Sequence, residues 1–205
     1  MFEFLKRLDM AGVGAVAMVV ASAVVLGTGA TGGSVVASES NPMPDSALYG
    51  YSKVGEDIQS NFVEDWDEKM AERRLDELDY VSQNPGKVST EKVMDISEEA
   101  ENHINEVTEE AEDENGLKKA ENMLQKHVRV LERVKENTPA EAQTGLNTAI
   151  ERSQQRQGIL ENSVSEIEEV RKFGRDEEEV QKQVDDIVDN VQNQVRKKVS
   201  DKAPL

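Results

Sequence analysis

From Asp45 almost to the C-terminus, apolar residues return every three or four positions, and no stretch alternates as a half-buried strand would. That spacing lays a stripe along one face of an α-helix. Val93, Ile96, Ala100, Ile104, Val107 and Ala111 form one such stripe, with His103 among them. Leu117, Ala120, Leu124, His127, Leu131 and Val134 form another. A stripe this narrow is covered only by a neighbouring helix. The expected fold class is therefore all-α: an elongated antiparallel bundle of four to five long helices, preceded by one N-terminal membrane or signal helix.

Breakers divide the run. Asn41-Pro42-Met43-Pro44 reads as a linker, placed within 38–45. Asp45 and Ser46 are suited to cap a first unit with the seam Leu48, Tyr51, Val54 and Ile58. A bend is expected near Asn61 to Glu64, after which Trp66, Met70, Leu75 and Leu78 continue the seam to the stop at Asn84-Pro85-Gly86. Ser89 or Thr90 caps the second unit, and Asn115-Gly116 separates it from the third. Thr138-Pro139-Ala140-Glu141 reads as a capping box with proline at the first helical position. The fourth unit follows through Leu146, Ala149, Ile150, Leu160, Val164 and Ile167, and its polar middle, Glu151 to Gly158, is expected to be its loosest part. Gly174 interrupts, and a fifth helix carries Val180, Val184, Ile187, Val191, Val195 and Val199. Valine is a modest helix former, so this last helix needs a partner surface, either the bundle or a second copy. The expected organisation is a signal segment over 1–37, the linker, a bundle over 46–173 and the C-terminal helix over 174–205.

Met10 to Ser38 contains no charged residue, and Ala11 to Leu26 is its most apolar part. Together with Gly27 to Ala37 it has the roughly 20 residues a bilayer core requires. Lys6 and Arg7 precede it and acidic residues dominate the chain beyond it, which places the N-terminus in the cytoplasm and the rest outside. Residues 11–37 serve either as a retained anchor or as a signal peptide cleaved near Ala37, after Val35-Val36-Ala37. In both readings the bulk of the chain is extracytoplasmic: single-pass at the cell membrane, or secreted.

The formal net charge is −18. Residues 1–44 hold Lys6 and Arg7 against Glu3, Asp9 and Glu39, so −17 belongs to the remainder. Such a surface repels nucleic acid and anionic headgroups, and it suits cationic partners, divalent ions or high salt. No cysteine is present, which excludes disulfides, thiolate metal sites and cysteine nucleophiles. Aromatics are 4% of the chain, too few to line a typical enzyme pocket. Trp66 and Tyr51 read as core anchors.

The two histidines are the side chains that titrate nearest neutrality. Residue 115 is their midpoint, so a hairpin turning there brings His103 level with His127, with Glu99, Glu106 or Glu121 close by. A zinc or copper site or a pH switch follows from that geometry. The plainer alternative is two partly buried histidines bonded to neighbours. Glu98 to Glu101, Glu109 to Glu114 and Asp176 to Glu179 are acidic runs that read as solvated helix faces, since no loop gathers them as Ca²⁺ ligands. No catalytic triad, phosphate-binding loop or cofactor motif is present, and no cofactor is expected.

Several segments resemble the uncharacterised DUF5667 family, a helical domain of exported bacterial and archaeal proteins. They are Pro44-Asp45-Ser46-Ala47-Leu48-Tyr49-Gly50, Met70-Ala71-Glu72-Arg73-Arg74-Leu75, and His127 to Val134 followed by Thr138-Pro139-Ala140-Glu141-Ala142. Ala149 to Ser153 continues the likeness, which covers roughly Pro44 to Gly158 and departs between Asn61 and Asp67. The family has no assigned activity, so the resemblance implies architecture and export without chemistry. The expected function is that of a non-enzymatic, extracytoplasmic structural or protein-interaction module of the cell envelope, which meets a protein partner or itself through its helices. The alternatives are a membrane-tethered sensor or regulator, and a cation- or metal-buffering envelope protein.

Overall fold

The computed structural model describes residues 42–60, 63, 65–140 and 143–200. The N-terminal segment 1–37 lies outside the described residues, as does Glu141 of the expected capping box. Among the described residues there is no strand, and no helix is long and apolar enough to cross a membrane. The described helices are α1 (Tyr49–Gln59), α2 (Trp66–Gln83), α3 (Thr90–Glu109), α4 (Glu114–Glu136), α5 (Gln143–Phe173) and α6 (Glu177–Ser200).

The chain divides at Glu64 and Asp65 into two compact units, and α1 and α2 lie on either side of the bend expected near Asn61 to Glu64. Asp65, before α2, has a left-handed backbone with φ of 53°. Within the first unit, α1 buries Tyr49 but turns most of its expected seam outward. Ser52 and Glu56 are buried, with the Ser52 hydroxyl 3.4 Å from Glu56 Oε1, while Leu48, Tyr51 and Val54 stand exposed. The expected first seam therefore does not face inward, and Tyr51 is not a core anchor. Trp66 is half-buried.

In the second unit α2 to α6 share one core. Leu75, Leu78, Ile96, Ile104, Leu117, Leu124, Leu131, Leu146, Leu160 and Ile167 are almost fully buried within it. Long-range ion pairs give the directions. Asp67 with His103 and Arg74 with Glu99 make α2 and α3 antiparallel. Glu68 with Lys119 and Asp76 with Lys126 make α2 and α4 parallel. Lys118 with Glu168 sets α5 antiparallel to α4. Gln192 on α6 donates to the Ala111 carbonyl at 3.0 Å, and Arg196 meets Glu109 at 2.7 Å, which docks α6 on the α3–α4 turn. Val184, Val188, Val191 and Val195 are buried in the same core. The valine stripe thus finds its partner surface within its own chain.

Local signals explain most of the ends. Ser89 caps α3 by accepting from the Lys92 amide, and Gly86 takes a left-handed φ of 82° in the turn before it. The turn between α3 and α4 falls earlier than Asn115-Gly116. Asp113 caps α4 and accepts from the Gly116 amide at 2.9 Å, so both residues lie in the first turn of the helix. Glycine is present at 116 because the chain doubles back there: a Cβ would lie 2.8 Å from the Ala111 Cβ. At the end of α4, Thr138 spends its hydroxyl on the Val134 carbonyl at 2.8 Å. That bond closes the end of the preceding helix. The side chain of Gln143 donates to the Lys135 and Thr138 carbonyls and ties α5 to that turn.

The cap at Asp113 yields a test. Hydrogen bonds from the Gly116 amide chiefly hold its carboxyl below the usual range. A depressed folded-state value means stabilisation that is present above the ordinary aspartate range and lost as the pH falls through the folded value. Asp113→Ala is expected to cost about 1 kcal/mol by urea unfolding at neutral pH. Asp113→Asn should cost less, and its deficit should shrink in acid.

Candidate functional site, a buried polar layer

The groups with chemical potential gather inside the bundle rather than at its surface. They stand where the apolar stripes of α3, α4 and α5 are interrupted. On α5 the seam runs Leu146, Ala149, Ile150, then Ser153 and Arg156, then Leu160. On α3, Ser97 and Glu101 lie beside Ile96 and Ala100. All four polar residues are buried. The stretch Glu151 to Gly158, expected to be the loosest part of its helix, therefore holds two buried polar side chains, Ser153 and Arg156.

His127 on α4 lies at the centre of this layer and is fully buried. Its Nε2 is 3.1 Å from the Ser97 hydroxyl and its Nδ1 is 3.1 Å from the Ser153 hydroxyl. A neutral imidazole presents one donor and one acceptor nitrogen, and hydroxyls serve either role, so both nitrogens are satisfied. One turn along, the Glu101 carboxylate receives Arg156 Nη1 at 2.5 Å and Arg152 Nη2 at 3.4 Å. Burial pulls the Arg156 guanidinium below its usual value, and the Glu101 charge opposes that fall. A second buried pair lies within α2, where Arg74 meets Glu77 at 2.7 Å, and Arg74 also reaches the partly exposed Glu99 of α3 at 2.6 Å.

His103 occupies a different place. It is half-buried, and its Nδ1 is 2.7 Å from the Asp67 carboxylate on α2. The turn before Asp113 puts His127 level with Ser97, six residues along α3 from His103, the partner that a hairpin turning at residue 115 would have given it. The two histidines consequently engage different partners. Of the expected neighbours, Glu99 is committed to Arg74. Glu106 and Glu121 both titrate above the ordinary carboxylate range, each chiefly through desolvation. Among the described residues no group of three or more His, Asp or Glu side chains is placed to hold a metal ion.

The acidic runs are likewise engaged. Glu109 pairs with Arg196, and Glu114 pairs with Lys118 and Arg171. Asp176 accepts from the amides of Glu178 and Glu179 at the start of α6. The cations are concentrated on α4, whose Lys118, Lys119, Lys126 and Arg133 reach acids on α2 and α5. A shallow groove between α2 and α4 is lined by Glu72, Leu75, Asn122 and Met123 together with these lysines. Each of its lysines is already paired, so the groove has no spare charge with which to draw in an anion. Comparison with protein families, curated proteins and solved structures finds no match to this chain.

The sequence reading missed Ser97, Glu101, Ser153 and Arg156. Their signal was present as polar residues standing at stripe positions, which is where a buried polar group is to be sought. Two outcomes are expected. Glu101→Gln leaves two guanidinium groups facing each other inside the bundle, and by urea unfolding it is expected to cost about 3–5 kcal/mol. Arg156→Met should cost less, because Arg152 remains to meet the carboxylate, and Glu101→Leu with Arg156→Met should recover much of the loss. At Glu106, partial desolvation and then Glu109, Asp67 and Glu110 raise the folded-state pKa, against His103. The ionised form is thus disfavoured by folding, so Glu106→Gln should raise Tm at neutral pH, and that gain should vanish below the ordinary glutamate range.

Proposed function

We propose that this chain is an extracytoplasmic, non-catalytic structural or protein-interaction module of the cell envelope, held at the membrane by residues 11–37 or released by cleavage near Ala37. In this reading the second unit is an elongated antiparallel bundle of long helices that presents its outer faces to a protein partner. One observation carries the proposal. The side chains most able to do chemistry, His127, Glu101 and Arg156, are buried and bonded to one another's helices, so they hold the bundle together and do not meet a substrate. The uncharged stretch Met10 to Ser38 supplies the export signal, and the short motifs resembling the exported DUF5667 domain agree with it.

An acidic exterior suits such a role. It keeps copies apart and leaves recognition to a partner with a basic or mixed face. The test combines N-terminal sequencing of the mature chain, its partition between membrane and soluble fractions, and crosslinking in intact cells. The expected result is a chain outside the cytosol that crosslinks to an envelope protein or to itself. Recovery from the cytosol, or an exported chain that forms no crosslink at all, would overturn the proposal.

A further inference from the structure

Among the described residues four large hydrophobic side chains stand exposed, and three of them lie at the start of α1: Leu48 at 52%, Tyr51 at 59% and Val54 at 49%. Their spacing of three residues keeps them on one side of the helix. The same helix buries Ser52 and Glu56. A short helix that hides one tyrosine, a serine and a glutamate while presenting leucine, a second tyrosine and valine on one side has that side turned to an environment other than water.

Chain connectivity says what that environment is. Leu48 lies only 11 positions beyond Ala37, near the end of the uncharged segment. Fully extended, that stretch reaches about 36–40 Å, and as a flexible coil it spans about 17–20 Å. With the segment in the bilayer, α1 is never more than a few helix diameters from the lipid surface. At that effective concentration a small apolar face is enough for docking. Tyrosine favours the headgroup boundary, where its ring is apolar and its hydroxyl wet. The net negative charge favours a zwitterionic surface over an anionic one.

We infer that α1 lies on the outer surface of the bilayer with Leu48, Tyr51 and Val54 against the lipid, as an interfacial foot between the membrane segment and the bundle. This rests on the membrane reading of residues 11–37, in its retained form. The chain has no cysteine, so single substitutions give clean labelling sites. Spin labels at Val54→Cys, Ala47→Cys, Val19→Cys and Gln154→Cys would be compared in the full chain reconstituted in phosphatidylcholine vesicles. The readout is the ratio of collisions with oxygen to collisions with a water-soluble nickel complex. At Val54→Cys and Ala47→Cys this ratio should exceed that at Gln154→Cys severalfold, and Val19→Cys should exceed both. If Val19→Cys is immersed while Val54→Cys matches Gln154→Cys, the foot is overturned and the anchor stands. If Val19→Cys itself reads as aqueous, the anchor fails first. Shielding of Val54→Cys from both reagents would mean that protein covers the face, and it overturns the inference as well.

Discussion

Glu101 and Arg156 meet inside the bundle although 55 positions separate them in the chain. Charges taken out of water tolerate few arrangements, because attraction offsets desolvation only at close range. Sliding α5 by one turn along α3 would part the two groups by about 5.4 Å. It would also break the path from Ser97 through His127 to Ser153, leaving buried polar atoms unpaired. Stripes of leucine, isoleucine and valine are far less particular, since a one-turn slip replaces one aliphatic contact with another. The apolar stripes supply cohesion, and the polar layer selects the alignment in which α3, α4 and α5 use them.

Charge is distributed to the same end. A chain carrying −18 must bring acidic helices together against their mutual repulsion. It does so by placing lysines and arginines on α4, which lies against both α2 and α5. Lys119, Lys126 and Arg133 meet acids of α2, and Lys118 meets Glu168 of α5. Exposed pairs of this kind contribute about 0–1 kcal/mol each. Their larger effect is to make α4 a suitable neighbour for two helices that would otherwise repel. These cations are spent on acids of the neighbouring helices, and the acids left over keep the exterior negative.

The two units show different uses of the same residue pattern. In α2 to α6 the three-and-four spacing points into a shared core. In α1 Leu48, Tyr51 and Val54 mark the exposed side, and Tyr49, Ser52 and Glu56 occupy the buried one. Periodicity reports that a helix has an apolar face. It does not report what the face meets.

That distinction separates the legible features of the sequence from those that packing alone decides. Helical content, the seams of α3 and α4, the Ser89 cap and the stop before Gly86 were legible, because each follows from spacing, capping or backbone restriction within a few residues. The exposed side of α1 was not, nor the burial of Ser153 and Arg156, nor the registry that sets His127 beside Ser97 and leaves His103 to Asp67. The α3–α4 turn shows why. A shift from Asn115-Gly116 to the residues before Asp113 changes which side chains lie opposite along the whole hairpin, and the local signal for it, the Asp113 cap, sits inside an acidic run where several residues could serve. Local chemistry decides where a helix begins and which side is apolar. The partner of a buried serine, glutamate or histidine depends on residues 26 to 55 positions away, and that pairing exists only once the helices have packed.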